Sequence, residues 1–417
     1  MLAIRLTQNR MIQAVFVCFA ASLFFAYELV QLHMLNAITP MLMQDLHFVA
    51  TDLGILGSTY ILADVMFLLP AGIILDRFSV RRVILFALGI CIAGTVGFAY
   101  AENLWQACVC HFFSGIGNAF CFLSCMMLCS RWFPARWHAL VMGLMLTMGL
   151  AGGVIAQTPF SLLAQAFSWR DALLLDALIG FGIFMLIFLF VVDARREEEF
   201  RESEVPFWNG IRLAVTNRQN LTCGVYTGMM NLPVMLLGAM WGSLFLMQVH
   251  GMQLIEASFV TSMICMGTII GCPLVGYISD KMTQRKPAMV AGALASLAIF
   301  AVILSTKASD PALFAFLFFC LGVSTSTQVL GYPLITENSP RDLTGTSMGI
   351  AGMIIMGLAL VLQPISGILI DYGWNGQIVD GVRFYAKSDF MRSFVIFPVG
   401  FVISFLLTYV IIEKKRK

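Results

Sequence analysis

GIILDRFSVRR, Gly72 to Arg82, and GYISDKMTQRK, Gly276 to Lys286, are the stretches from which the fold is read. Gly72, Asp76, Arg77, Arg81 and Arg82 fall at the same offsets as Gly276, Asp280, Lys281, Arg285 and Lys286. Each copy follows one long apolar run and precedes another. Two copies about half a chain apart indicate a duplicated, membrane-embedded architecture whose basic residues set its orientation.

The composition around them agrees. Of 417 residues, 59% are hydrophobic and 12% charged, about half the charged fraction of a soluble domain, so lipid is the main solvent. A net charge of +2 argues against a nucleic-acid partner. The 11 cysteines all lie in apolar runs without His or acid at metal-ligand spacing, and read as small core- or lipid-facing residues, not disulfides or a metal site. The first apolar run is too long for a signal-peptide core and has no small-residue cleavage site, so it is expected to remain as a helix.

A spanning helix needs ~20 mostly apolar residues. Twelve such runs occur: 11–36, 51–75, 83–101, 104–129, 139–166, 172–192, 220–248, 254–279, 287–306, 311–335, 343–370 and 391–412. Their length excludes barrel strands of ~10 residues. With the N-terminus inside, 20 of the 25 Lys and Arg fall in inner loops; Arg170, Lys307, Arg383, Lys387 and Arg392 fall outside. Both termini are therefore expected on the cytoplasmic side. The long polar connection 193–219, with DARREEEFRESE within it, reads as a solvated, partly helical linker between a first half, 1–192, and a second, 220–417. The halves repeat beyond the loop motif. Pro134 and Pro340, Gly143 and Gly349, and Gln157 and Gln363 each stand 206 residues apart. Two pseudo-symmetric six-helix bundles in an all-α membrane protein are the expected product.

Twelve helices, a six-plus-six repeat and the loop pattern G-x-x-x-D-[RK]-x-x-x-[RK]-[RK] after helices two and eight resemble the major facilitator superfamily over the whole chain. The resemblance implies a secondary transporter, without cofactor, that alternates access to a central site. Three departures stand out. Ser79 and Thr283 occupy a loop position where the family most often has Gly. In HFFSGIG, His111 replaces the usual helix-four Arg beside Gly115 and Gly117. Helix five carries Gly149, Gly152 and Gly153 without the adjacent Gly-Pro of drug/proton antiporters, which favours uptake over efflux. RWFPARWHALVMGL, AQTPFSLL, LPVMLLGAMWG and LGYPLITENSP are similar to bacterial nutrient porters, including amino-acid and siderophore transporters of intracellular pathogens.

Several residues could carry the chemistry. The two loop copies form a candidate cytoplasmic gate: Asp76 can accept from a neighbouring helix N-terminus and pair with an Arg. The alternative is that the bases merely fix topology. An ionisable group at the centre of a spanning helix costs roughly 3 kcal/mol or more and usually marks a pathway. Glu28, Asp64 and His111 are such groups. Asp176, one turn into helix six, reads as structural. With helix one ending near Leu35, Glu28 lies ~10 Å below its outer end, at the depth of His111. In related sugar porters an acid in helix one pairs with the helix-four Arg and carries the proton. Matched by position, Glu28 is the acid and His111 its partner; a static pair, or different neighbours for each, is the alternative.

The resemblance places helices one, four, seven and ten around the cavity, which favours Tyr27, Asn118, Asn231, Trp241, Gln328 and Tyr332 as solute ligands; Gln157 and Gln363 are further candidates. Asn231–Pro233 and Gly331-Tyr332-Pro333 interrupt helices seven and ten, as discontinuous helices do at substrate sites. The boundary residue Arg392 aside, no Lys or Arg stands inside a run. A multiply charged anion would need such a cation, so a neutral, zwitterionic or weakly charged solute is expected. The expected protein is a monomeric, proton-coupled importer in the bacterial inner membrane. An exporter of a drug or siderophore is the first alternative. A nutrient receptor that does not transport is the remote one, because the tail EKKRK and the linker are short. No nucleophile–base set suggests an enzyme.

Overall fold

The computed structural model describes residues 2–191, 207–282, 284–338, 344–379 and 381–413. Arg195, Arg196, Arg201, Arg341 and the basic tail, on which part of the orientation rests, lie outside the described residues.

Twelve helical spans are present, as the apolar runs predict. The first five elements are α1 (Leu2–Asp45), α2 (Ala50–Arg77), α3 (Val80–Ala99), α4 (Leu104–Trp132) and α5 (Ala135–Ile155). Then come α6 (Thr158–Ala166) and α7 (Trp169–Phe190). The helix α8 (Phe207–Thr216) lies within the expected linker and leads into α9 (Arg218–Leu232). A π-helical stretch, Pro233–Trp241, joins α9 to α10 (Gly242–His250), completing the seventh span. Next are α11 (Leu254–Lys281), α12 (Lys286–Ser305) and α13 (Pro311–Thr325). A 3₁₀ turn, Ser326–Leu330, joins α13 to α14 (Gly331–Asn338). The chain closes with α15 (Thr344–Asp371), a two-residue hairpin pairing Ile378–Val379 with Val382–Arg383, α16 (Lys387–Phe394) and α17 (Ile396–Val410). The first six spans and the last six form two bundles.

The breaks have local causes. Gln157 and Pro159 divide the fifth span into α5 and α6, and Pro233, which lacks an amide hydrogen, opens the π stretch. Ser79, Asn103 and Ser168 cap α3, α4 and α7 by accepting from the amides of Arg82, Gln106 and Asp171. Phe86, Trp105 and Leu189 are exposed on the bundle's outside, where hydrocarbon replaces water.

One boundary differs from expectation. The first helix does not end near Leu35 but continues through Pro40 to Asp45. Ala37, Ile38, Leu42 and Met43 are buried against neighbouring helices, which holds the helix beyond the proline. Glu28 is therefore ~25 Å, not ~10 Å, from the helix end at 1.5 Å per residue.

The bundle has two ends. The motif end carries Gly72–Arg82 and Gly276–Lys286; the far end carries the start of α2 and the end of α15. Hydrogen bonds join the halves at the far end and deeper in. At the far end Asp371 accepts from the Thr51 amide and hydroxyl, both at 2.6 Å, and from the Tyr385 hydroxyl at 2.6 Å. That places a carboxylate at the positive N-terminus of α2. The Ala50 amide donates in turn to the Tyr385 hydroxyl at 3.0 Å. Deeper in, Asn36 donates to Ser243 Oγ at 2.7 Å and accepts from the Ser243 amide at 2.9 Å.

Candidate functional site

The interior of the first half holds a polar cluster inside an apolar bundle. Glu28, Asp64 and Asp176 are buried, 0%, 3% and 5% exposed, and no Lys or Arg of that half is buried among the described residues. Three acids without a buried countercharge are costly in low dielectric unless hydrogen-bonded or protonated.

Glu28 projects from α1 toward α2 and α4. Its Oε2 accepts from the Tyr60 hydroxyl at 3.0 Å, and the same hydroxyl lies 3.0 Å from the Glu28 carbonyl oxygen. Its Oε1 is buried without a partner. Room for the carboxyl comes from α4: a Cβ on Gly117 would land on Oε1, and a Cβ on Gly115 would strike the Tyr60 backbone. The expected direct pair with His111 is not formed, for no ion pair or hydrogen bond joins them. Tyr60 stands between them. Its ring packs against the His111 ring at 5.1 Å, Phe98 lies on His111 at 5.5 Å, and His111 Nδ1 has no partner. The two groups face a common third residue because α4 packs against both α1 and α2 at this level, Gly117 against Glu28 and Gly115 against Tyr60.

A second branch runs through Gln31. Its Nε2 donates to Asp176 of α7, and its Oε1 accepts from Thr95 of α3 at 3.0 Å. Asp176 is thus tied into the core as a structural acid would be. Tyr27 is buried with its ring against Gly180 of α7 and its hydroxyl unpartnered. Asp64 of α2 lies beside Asn118 of α4. Asn118 is half-buried, and its carbonyl accepts from the Cys121 thiol at 3.0 Å.

In the second half the seventh span is interrupted at Pro233 as expected, the tenth at Ser326–Leu330, just ahead of the expected Gly331-Tyr332-Pro333, which opens α14, and the side chains around them separate. Trp241 is fully buried and its indole N–H donates to Ser366 Oγ at 2.7 Å, which commits it to α15. Asn231 is buried at the end of α9; Gln328 and Tyr332 are half-buried in the broken tenth span, and the side chains of all three lack hydrogen-bond partners. The two repeat-related glutamines converge on the π stretch. Gln157 donates to the Gly238 carbonyl at 2.6 Å and accepts from Asn36 at 2.6 Å, while Gln363 donates to the Met235 carbonyl at 3.1 Å. The i→i+5 pattern of a π helix needs such outside partners for its displaced carbonyls.

At the motif end the side chains of Asp76 and Arg77 lie outside the described residues. Arg81 donates to the Phe188 carbonyl and lies over the Phe188 ring. In the second copy Arg285 sits 3.0 Å from Glu337 and 3.8 Å from Asp280, joining α11, α12 and α14. Glu413 accepts from the amides of Arg285 and Lys286 at 2.5 and 3.1 Å. Burial pushes the Glu413 carboxyl above the usual carboxylate range, against the opposing pull of the Lys286 amide and charge. Lys281 lies over the Tyr277 ring.

Sequence reasoning missed Tyr60 as the link, Gln31, Asn36, Asp371, Glu337 and Glu413. Only Glu337 and Glu413 carried a signal, as acids following apolar runs close to basic loops.

Comparison with known proteins bears on this site. The family model described as Major Facilitator Superfamily matches residues 12–374. The chain is similar to the "Membrane sensor protein UhpC" of Salmonella typhimurium, 22% identical over 370 residues, with 82% of each chain covered. It is similar to the "Probable galactarate/D-glucarate transporter GudP" of Bacillus subtilis, 21% identical over 375 residues, covering 80% of this chain and 81% of that one. Its fold matches the crystal structure of a bacterial homolog of the human lysosomal transporter Spinster in an inward-facing, unoccupied conformation, with TM-score 0.79, 15% identity, and 96% and 98% of the two chains covered.

Proposed function

The chain belongs to the Major Facilitator Superfamily, and from that premise we propose that this multi-pass membrane transporter is a proton-coupled importer of a small neutral, zwitterionic or weakly charged organic solute. As a family member it is a carrier of small solutes and not an enzyme. The proposed setting is the bacterial inner membrane, with both termini cytoplasmic and residues 193–219 linking the halves.

The observation that carries the reading is the set of buried acids in the first half, with Glu28 at its centre. Glu28 has no cationic partner; the Tyr60 hydroxyl donates to its Oε2 and the Cys91 thiol lies beside the carboxyl. Such a carboxyl can take up and release a proton without breaking a salt bridge. Tyr60 connects it to His111, whose free Nδ1 offers the next proton position. We assign coupling to Glu28, with His111 and Asp64 on its path. Asn118, Asn231, Gln328 and Tyr332 are the proposed solute ligands; the side chains of the last three remain uncommitted at helix breaks, and Asn118 presents its amide beside Asp64. The absence of a buried Lys or Arg among the described residues of the first half argues against a doubly charged acid such as that named for the Bacillus subtilis relative.

Alternating access would rock the halves. The far-end hydrogen bonds to Asp371 and Ser243 would close the outer side, and the two loop copies would act as the cytoplasmic gate. The test begins with a thermal-shift screen of purified protein against amino acids, nucleosides, organic acids and siderophores. The hit is then followed in liposomes under a pH gradient. Glu28→Gln should abolish gradient-driven accumulation and preserve solute exchange without a gradient. Full concentrative uptake by the variant would remove Glu28 from the coupling role. The likeness to a membrane sensor supports one second reading, a receptor that binds without transport; its signature is a thermal shift with no counterflow.

A further inference from the structure

His33 is a buried titratable side chain outside the path from Glu28 to His111. It lies on α1 and is 2% exposed. Its Nδ1 is 2.9 Å from the Leu29 carbonyl oxygen, one turn back. That oxygen can only accept, so Nδ1 carries the hydrogen and Nε2 keeps a lone pair. Nε2 is buried without a hydrogen-bond partner.

The ring lies where the halves meet. A Cβ built on Gly153 of α5 would stand 3.5 Å from His33 Cε1 and Nδ1, and 3.3 Å from Cys265 Sγ of α11. An imidazole of the first half and a thiol of the second thus share one point over a bare glycine backbone. The cross-half bonds of Asn36 to Ser243 and of Gln157 to Gly238 lie one turn nearer the far end, along α1 and the fifth span. No acid is within ion-pair distance of the ring among the described residues. From Gly149 to Gln157 the fifth span has no ionisable side chain. On α11 the titratable group at this level is Cys265, and Glu256 is exposed more than two turns away. On α1 itself Glu28 points ~140° away around the helix, at ~100° per residue, onto Tyr60. Asp64 and Asp176 are turned into the first half's own core, beside Asn118 and Gln31.

We propose that His33 is a positioning residue for the transport cycle: a proton taken on Nε2 from the outer solution parts the halves at the far end. With a neutral ring the interface packs dry at this point. A proton sets a cation between the halves without a countercharge, and such a charge favours the conformation in which water reaches it. The ring returns the proton to water before the interface closes again. The inference rests on the reading of the far end as the outer side, and it does not require Glu28 to be the coupling acid.

Ser258→Cys supplies a reporter. Ser258 is fully buried and its hydroxyl lies 3.4 Å from that of Ser243, so a thiol there is reached when the far end parts. The full-length protein in nanodiscs is alkylated with N-ethylmaleimide and the modified peptide is followed by mass spectrometry. Dividing its rate by that of N-acetylcysteine at each pH removes the pH dependence of the reagent. An imidazole in water titrates near pH ~6.5, so a proton taken in the parted state alone should raise the accessible population about tenfold from about pH 7.5 to about pH 5.5. His33→Asn, which keeps a donor for the Leu29 carbonyl and gains no proton, should give a flat profile, and His33→Gln should do the same. Glu28→Gln should keep the rise, which separates this role from proton coupling. A flat profile with His33 in place, a rise that persists in a folded His33→Asn or His33→Gln, or a rise lost in Glu28→Gln overturns the assignment.

Discussion

Removing the Tyr60 hydroxyl tests the centre of the proposed coupling path. Tyr60 is 1% exposed, and its hydroxyl donates to the Glu28 carboxyl at 3.0 Å. In Tyr60→Phe the ring remains against His111, so packing is retained while the carboxyl loses its hydroxyl donor. A buried polar group deprived of its partner costs about 1–3 kcal/mol in soluble interiors. Interhelical hydrogen bonds in membranes average ~0.6 and reach ~1.7 kcal/mol, because the unfolded reference state also finds partners. The Cys91 thiol beside the carboxyl is a weak donor, so an α1–α2 coupling of ~1 kcal/mol, within that range, is expected. The assay is a double-mutant cycle on purified protein in mixed micelles, combining Tyr60→Phe, Glu28→Leu and the double variant in denaturant titrations. The two single losses should sum to more than the loss in the double variant by about the coupling energy. Additive losses within ~0.3 kcal/mol would show that the hydroxyl does not hold the carboxyl, and the Glu28–Tyr60–His111 path would lose its middle member.

Other perturbations probe separate parts. Gly117→Ala sets a methyl group where Glu28 Oε1 lies; overpacking of about 1–3 kcal/mol should lower the melting temperature, and Glu28→Ala in the same chain should recover part of it. Arg285→Gln removes the partner of Glu337, which is 40% exposed at its side chain; water can reach that carboxylate, so a loss of only about 1 kcal/mol is expected in the same denaturant assay. Gln157→Leu cuts the bond to Gly238 between the halves; about 1 kcal/mol of lost cross-half bonding, roughly fivefold in an equilibrium constant, should raise far-end accessibility to a thiol reagent at a cysteine placed beside Ser243. Gln363→Leu, which acts within one half, should leave that accessibility unchanged.

The helix count, the repeat and the basic loops were legible because each is written in local composition: apolar length, charge and a fixed spacing. The breaks in spans seven and ten were legible because Pro233 and Pro333 cannot continue an ordinary ladder. The end of the first helix was not. Pro40 reads as a stop, and only the burial of Ala37, Ile38 and Leu42 by other helices carries the helix past it. Glu28 and His111 were found as isolated ionisable residues in apolar runs. That Tyr60 lies between them depends on how three helices pack, which no single run records. Asn36 and Ser243 meet across 207 positions, and each reads alone as an ordinary polar residue in a helix.

The repeat also accounts for an asymmetry that the sequence alone conceals. Gln157 and Gln363 occupy equivalent places in the two halves, and both donate to carbonyls of the same π stretch, Gly238 and Met235. The stretch belongs to the second half, so one glutamine stabilises it from within and the other from across the interface. Two copies of one device thus serve different ends. Gln363 keeps the irregular backbone hydrogen-bonded whatever the halves do, and Gln157 does so only while they are together at the far end. Separation there would take Gln157 from Gly238 and Ser243 from Asn36 at once, at a cost that water entering the opened interface could offset. On the proposed reading, a solute bound beside Asn231, close before the stretch, would touch the element whose bond to Gln157 separation of the halves would break, and so would shift that balance.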